Sequence, residues 1–480
     1  MNHEVSPRPV VWSVTGSGNG GSACLYDLRA IDIFDLHNCS MVEAIQTGTL
    51  GSADNLQALV RWIDRMRAQQ PRLAVVVDPV LSSSTGTAVA DAALLHAYRT
   101  ELLPRASLIT PNRNEAAALL GIAPLRNRVD VEQAALSLLN LGCQSVVING
   151  GGETDDSSED YVVTPHACGW LSLPRVATPQ HPSTSCVFAA SAAAALARGF
   201  VTIEAVVMAK MATTQALRRA HVAEHGAGSV HLSPDFAQHR QNLPTFSIPG
   251  QRKDLNFPSL IDPQLGLYAV VDSAAWVQRV LDAGVRTVQL RVKDAMHPAL
   301  QQEMRDSIAA ACAAGAQLFI NDHWALAIEL GAYGVHLGQE DLATADLADI
   351  ARAGLRLGVS THSYWEVCRA WGLKPSYIAC GPIHATQAKA MPWLPQGSDN
   401  LAYWCALLPL PVVAIGGIDT ARATEAAQCG AAGVAVISAI TGAASPETEI
   451  TRLRHAVEAG RSRPRRTTPT LPRTTLERAD

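Results

Sequence analysis

The chain has 480 residues, of which 48% are hydrophobic and 17% charged, and its net charge is −5. That apolar share excludes whole-chain disorder, and at roughly 100–200 residues per domain the length predicts two domains or three. The acidic balance argues against a general nucleic-acid-binding surface, so no nucleic-acid partner is expected.

No apolar run approaches the roughly 20 residues that a bilayer span needs. The start, Met1-Asn2-His3-Glu4, lacks the basic-then-apolar pattern of a signal peptide. Ten cysteines are scattered singly with no Cys-x-x-Cys pair, which suits reduced thiols. A cytoplasmic location with no membrane partner is therefore expected.

The first region, residues 1–220, alternates strands and helices. Residues 10–14, 74–77, 107–109 and 145–148 read as buried parallel strands, and an Ala-rich helix follows Cys186. An open α/β sheet is the natural reading. Residues 221–264 turn rich in Gly, Pro, His and Gln and lose periodicity, as in a linker.

Residues 265–460 repeat a strand-then-helix unit. The apolar runs at 267–271, 286–290, 317–320, 334–337, 355–359, 377–380, 412–415 and 433–437 number eight. Eight such units predict a compact (β/α)8 TIM barrel, with a doubly wound open sheet as the structural alternative. Either fold puts the chemistry at the carboxyl ends of the strands. The last stretch, 461–480, carries Arg-Pro-Arg-Arg and Thr-Thr-Pro-Thr and reads as a disordered tail.

The most informative segment is Gln289-Leu290-Arg291-Val292-Lys293. Alternation on a strand would point Gln289, Arg291 and Lys293 the same way, giving a doubly cationic wall suited to a diphosphate. Asp322 and Asp341 follow the third and fourth strands, where Mg²⁺ can use two carboxylates together with phosphate oxygens. Ser360 and Lys389 lie beyond later strands and offer further phosphate donors. Gly416-Gly417 and Ile437-Ser438 end strands seven and eight, a common phosphate position in such barrels. His362 and His384 read as packed loop histidines.

Across residues 267–440 these landmarks, with Ile320-Asn321-Asp322 and Gly334-Val335-His336-Leu337-Gly338-Gln339-Glu340-Asp341, stand in one order. The region resembles the thiamine phosphate synthases. The resemblance implies joining of an aminomethylpyrimidine diphosphate to thiazole phosphate, with release of diphosphate. It implies that Gln289, Leu290, Arg291, Val292, Lys293, Asn321, Ser360 and Lys389 bind the pyrimidine diphosphate, with Arg291, Ser360 and Lys389 catalytic. Thr386, Gln387, Ala388, Gly417, Ile437 and Ser438 would bind the thiazole phosphate, and Asp322 and Asp341 the Mg²⁺. Ala388 stands where the family often has a second threonine, so weaker thiazole-phosphate binding is expected. Small-molecule substrates are the implied partners, and assembly into a homo-oligomer stays open.

The first region carries Thr15-Gly16-Ser17-Gly18, Asp78-Pro79-Val80, and Thr110-Pro111-Asn112-Arg113-Asn114-Glu115. It resembles the hydroxymethylpyrimidine phosphate kinases, which implies a ribokinase-like fold. The family's Gly-Thr-Gly-Cys reads Ser183-Thr184-Ser185-Cys186 here, so backbone amides approach a phosphate less closely. A degenerate kinase is expected, with Asp27, Asn112, Glu115 and Cys186 as the remaining site residues. The alternatives are a bifunctional enzyme that still phosphorylates the pyrimidine with ATP, and a regulatory ligand-binding module.

Overall fold

The computed structural model describes residues 10–14, 42–81, 90–150, 156–177, 184–220, 233–250, 255–386 and 392–477. Two compact units divide between Pro249 and Gly250. Each builds its own sheet.

In the first unit, β1 (Val10–Val14), β2 (Val42–Thr47), β3 (Ala74–Val77), β4 (Leu108–Ile109) and β5 (Val146–Ile148) run parallel in that spatial order. The β-branched residues of β2 to β5 are buried because helices such as Ala53–Gln69 and Thr184–Ala197 cover the sheet. β6 (Ser157–Val163), β7 (Cys168–Pro174) and β8 (Thr245–Ser247) extend the sheet antiparallel.

β8 corrects the linker expectation. Residues 233–249 belong to the first unit: Phe246 is buried opposite Leu171, and Asp235 accepts hydrogen bonds from Gln215 and Arg219. A three-residue edge strand is too short to leave a periodic signature, so composition alone reads it as loop. Residues 255–264 are likewise tied to the barrel, with Phe257 and Leu260 buried. Pro258 and Ser259 carbonyls accept from Ser376 and Arg356, and Leu260 joins the barrel core.

In the second unit, β9 (Gly266–Val271), β10 (Thr287–Leu290), β11 (Gln317–Asn321), β12 (Gly334–Leu337), β13 (Arg356–Thr361), β14 (Tyr377–Cys380), β15 (Val412–Ile415) and β16 (Gly433–Val436) are all parallel. β16 pairs back onto β9, which closes the barrel and removes the open-sheet alternative. Tyr268, Phe319 and Tyr377 fill the interior in tilted and edge-on contacts, with ring centroids 5.0–6.1 Å apart. Glycines on neighbouring strands make room for them. A Cβ at Gly358 would come within 2.2 Å of the Tyr377 ring, and one at Gly334 within 2.8 Å of Phe319.

The tail expectation is corrected as well. After helix Pro446–Arg461 the chain is held to the barrel at several points as far as Leu476. Arg466 pairs with Asp399, Arg473 N donates to Asn400 Oδ1 at 2.7 Å, and Thr475 O accepts from Leu394 N at 2.9 Å. Arginines that read as solvated in the sequence have carboxylate partners on the barrel's outer helices. No helix among the described residues is long and apolar enough to cross a membrane.

Candidate active site at the carboxyl end of the barrel

A cavity of about 580 Å³ opens where the eight barrel strands end. Parallel strands deliver their last inward-facing residues and following loops to this one mouth. Gln289, Arg291, Asn321, Asp322, Asp341 and Ser360 all line it, and so do Thr386, Gly417, Ile437 and Ser438. These residues span 150 positions of sequence and meet only because the barrel closes.

Arg291 lies one residue beyond β10, and its N–H still bonds Val271 O at 2.7 Å. The predicted three-residue wall is therefore shorter than expected. Gln289 is buried on the strand and Arg291 faces the cavity, while Lys293 is exposed in the following loop. Leu290 and Val292 are buried and face away from the cavity, because alternate residues on an extended chain point to opposite sides. Gln387, Ala388 and Lys389 lie outside the described residues.

Asp322 adopts φ +63°, a left-handed backbone uncommon for a residue with a side chain. Its N–H bonds His336 O at 3.1 Å, and Asn321 Nδ2 donates to its carboxylate. Burial and the facing Asp341 carboxylate push Asp322 up to about 6, while the Arg291 charge acts against that rise. Gly338 keeps the approach open, since a Cβ there would sit 2.9 Å from Asp341 Oδ2. Two facing carboxylates are a donor set that a divalent cation satisfies. No group of three or more metal-ligating side chains occurs among the described residues.

On the far wall, Gly416 and Gly417 take φ of +101° and +65°. A Cβ on Gly417 would come within 2.6 Å of Ala385 O, so this backbone must stay bare to lie against the loop after β14. His384 N bonds Gly416 O at 3.0 Å and Ile383 N bonds Ile415 O at 2.9 Å, fixing Thr386 beside them.

Sequence reasoning gave no role to three further cavity residues. His336 is buried between Tyr377 Oη, 2.7 Å from Nδ1, and Ser360 Oγ, 2.8 Å from Nε2. Its burial drives the imidazole down to about 3, so the ring is neutral at physiological pH. His362 bonds Glu366 at 2.9 Å and stacks on Trp393 with centroids 4.2 Å apart. Both His362 and Trp393 line the cavity. Strand alternation would have put His336 inside, yet nothing in the chain near Trp393 signals that it returns to this mouth.

The residual kinase residues of the first unit also gather, although Asp27 lies outside the described residues. Asn112 caps helix Arg113–Leu120, and Glu115 reaches back to Asn112 N at 2.8 Å. Burial, with the Asp78 carboxylate nearby, pushes Glu115 up to about 7; burial alone raises Asp78 to about 6. The Cys186 sulfur is turned toward Asp78, and burial together with that carboxylate pushes the thiol up to about 11. A thiol in such surroundings is a poor source of thiolate.

Residues 266–440 match the family model described as thiamine monophosphate synthase, and residues 35–231 match that of phosphomethylpyrimidine kinase. The thiamine-phosphate synthase of Serratia proteamaculans (strain 568) is 56% identical over 194 residues, covering 39% of this chain and 90% of the relative. The chain belongs to the thiamine-phosphate synthase family. The synthase unit also aligns with the solved thiamine phosphate pyrophosphorylase from Pyrococcus furiosus, at 29% identity and TM-score 0.39, covering 42% of this chain and 99% of that one. For the other half, the pyridoxal kinase from Staphylococcus aureus in complex with ADP aligns at 29% identity and TM-score 0.36, covering 40% and 68%. A phosphomethylpyrimidine kinase-type domain thus precedes the synthase barrel.

Proposed function

We propose that the barrel joins 4-amino-2-methyl-5-(diphosphooxymethyl)pyrimidine to thiazole phosphate, giving thiamine phosphate and diphosphate. The observation that carries this reading is the single mouth where Arg291, Asp322, Asp341 and Ser360 face one another, in a unit 56% identical to a thiamine-phosphate synthase.

In the reaction the bond from the pyrimidine methylene to the diphosphate oxygen breaks, and diphosphate leaves with the electron pair. The thiazole nitrogen then donates its own pair to the methylene carbon. Such a step needs charge stabilisation and positioning more than a strong base. Arg291 and Lys389 steady the departing diphosphate, with Lys293 supplying positive charge at the rim. Gln289, Asn321 and Ser360 hold the pyrimidine side, and Leu290 and Val292 keep that strand end packed. Thr386, Gln387, Ala388, Gly417, Ile437 and Ser438 hold the thiazole phosphate. Asp322 and Asp341 would hold a Mg²⁺ ion, which when bound supplies charge neutralisation for the diphosphate oxygens.

The test mixes the two substrates with Mg²⁺ and the full chain. Thiamine phosphate and diphosphate are expected in equal amounts, with a loss of about 100-fold or more in Asp322→Ala, as for removal of other charge-stabilising groups. An unchanged rate in that variant, or no thiamine phosphate from the native chain, overturns the reading.

A further inference from the structure

A continuous line of hydrogen bonds crosses the barrel interior beneath the cavity. Gln289 Nε2 bonds Tyr268 Oη at 3.3 Å, and Tyr268 Oη lies 2.8 Å from Tyr377 Oη. Tyr377 Oη is 2.7 Å from His336 Nδ1, and His336 Nε2 is 2.8 Å from Ser360 Oγ. Both tyrosines are wholly buried, and only the two ends, Gln289 and Ser360, offer hydrogen-bonding groups to the cavity beside His336.

The line has a direction. An amide nitrogen has only protons to give, so Tyr268 Oη accepts from Gln289. Tyr377 Oη is the other partner of Tyr268 Oη, so the order that gives each hydroxyl proton an acceptor sends the Tyr268 proton to Tyr377 and the Tyr377 proton to His336 Nδ1. An imidazole that accepts at Nδ1 carries its proton on Nε2, which it gives to Ser360 Oγ. Two groups are left for a ligand: Gln289 Oε1 as an acceptor and the Ser360 hydroxyl as a donor.

We infer that this relay sets the polarity of the pyrimidine site, making Tyr268, Tyr377 and His336 positioning residues that select an aminopyrimidine over its oxo counterpart. The inference rests on the reading of the barrel as a synthase acting on a pyrimidine diphosphate. An aminopyrimidine offers an N–H donor beside an accepting ring nitrogen, the complement of Gln289 Oε1 and Ser360 O–H. A 4-oxopyrimidine offers the reverse: a carbonyl acceptor beside a ring N–H. Reversing the relay to suit it would require turning the Gln289 amide and moving the proton on His336. A buried site built to pair one polarity rejects the other because its polar groups are left unpaired.

Nitrogen-15 spectra of the full chain with labelled histidine read the polarity directly, the His336 resonances being assigned by their loss in His336→Gln. The Nε2–H tautomer is expected; the Nδ1–H tautomer means the opposite polarity and overturns the proposal. The second measurement compares kcat/KM for the amino- and 4-oxopyrimidine diphosphates. Tyr377→Phe, which removes one hydroxyl from the middle of the line, is expected to lower the amino preference about tenfold, the worth of one lost hydrogen bond. In a Ser360→Ala background the same change should add little. If the native chain forms thiamine phosphate and Tyr377→Phe leaves the preference intact, the relay is wrong and the synthase reading stands. If the native chain forms none, the synthase reading itself has failed.

Discussion

Gly358 and Glu115 show how a single residue ties local chemistry to stability in each unit. Gly358 has no side chain because the Tyr377 ring occupies the place where a Cβ would go, 2.2 Å away. Gly358→Ala forces either the ring or strand β13 to move, and overpacking of this kind costs about 1–3 kcal/mol. Because Tyr377 also bonds His336, the variant should lower both the denaturation midpoint of the barrel and the synthase rate. Glu115 has the opposite character, a carboxyl pushed from its ordinary 4.5 to about 7 chiefly by burial. A carboxyl with a raised pKa keeps its proton longer in the folded chain than in the unfolded one. Stability of the first unit is therefore highest below pH 4.5 as far as this group is concerned, and falls as pH rises toward 7. The loss is on the order of 2–4 kcal/mol for a shift of this size. Glu115→Gln keeps the cap on helix Arg113–Leu120 and removes the titration. Denaturant unfolding from pH 5 to pH 8 should show a flatter decline for that variant than for the native chain.

Among elements, short ones carry more than their length suggests. β8 is three residues long, yet Gly169 must lack a side chain to let it dock, since a Cβ there would lie 2.5 Å from Ser247 O. The segment after helix Pro446–Arg461 acts on the barrel in a similar way. Thr475 O and Leu476 engage the stretch from Trp393 to Leu394, and Trp393 in turn stacks on His362 at the cavity wall. Ending the chain at Ser462 unpairs Leu394 N and part of Asn400, so a loss of about 1–3 kcal/mol is expected from the orphaned groups. A lowered melting temperature of the barrel, with a raised KM for the substrates, would register it. The eight barrel strands were legible in sequence to within two residues at either end, because buried parallel strands are continuous apolar runs. β8 and the tail were not, because both are held by partners distant in sequence rather than by a pattern of their own.

For the whole molecule, two family-sized units share one chain while their sites differ in quality. The barrel mouth gathers Arg291, Asp322, Asp341 and Ser360 around one cavity. The first unit holds Asp78, Glu115 and Cys186 together, but all three are raised above their ordinary values, the Cys186 thiol with help from the Asp78 carboxylate. A thiol that keeps its proton is a weak base, which agrees with the altered Ser183-Thr184-Ser185-Cys186 sequence. The full chain given ATP, Mg²⁺ and the pyrimidine monophosphate is therefore expected to form no pyrimidine diphosphate, as followed by release of ADP. The same preparation should form thiamine phosphate once the diphosphate is supplied.

The sequence by itself determined the two-part α/β organisation, the eight strands of the second unit and most of the residues at its mouth. These are local properties: apolar runs mark buried strands, and polar residues just after them mark strand ends. Closure of the barrel, the facing of Asp322 and Asp341, and the line from Gln289 through Tyr268, Tyr377 and His336 to Ser360 were decided only by tertiary structure. A hydrogen bond or a carboxylate pair depends on positions a few ångströms apart, and residues 289 and 360 have no local signal of meeting until strand pairing brings them around the same barrel.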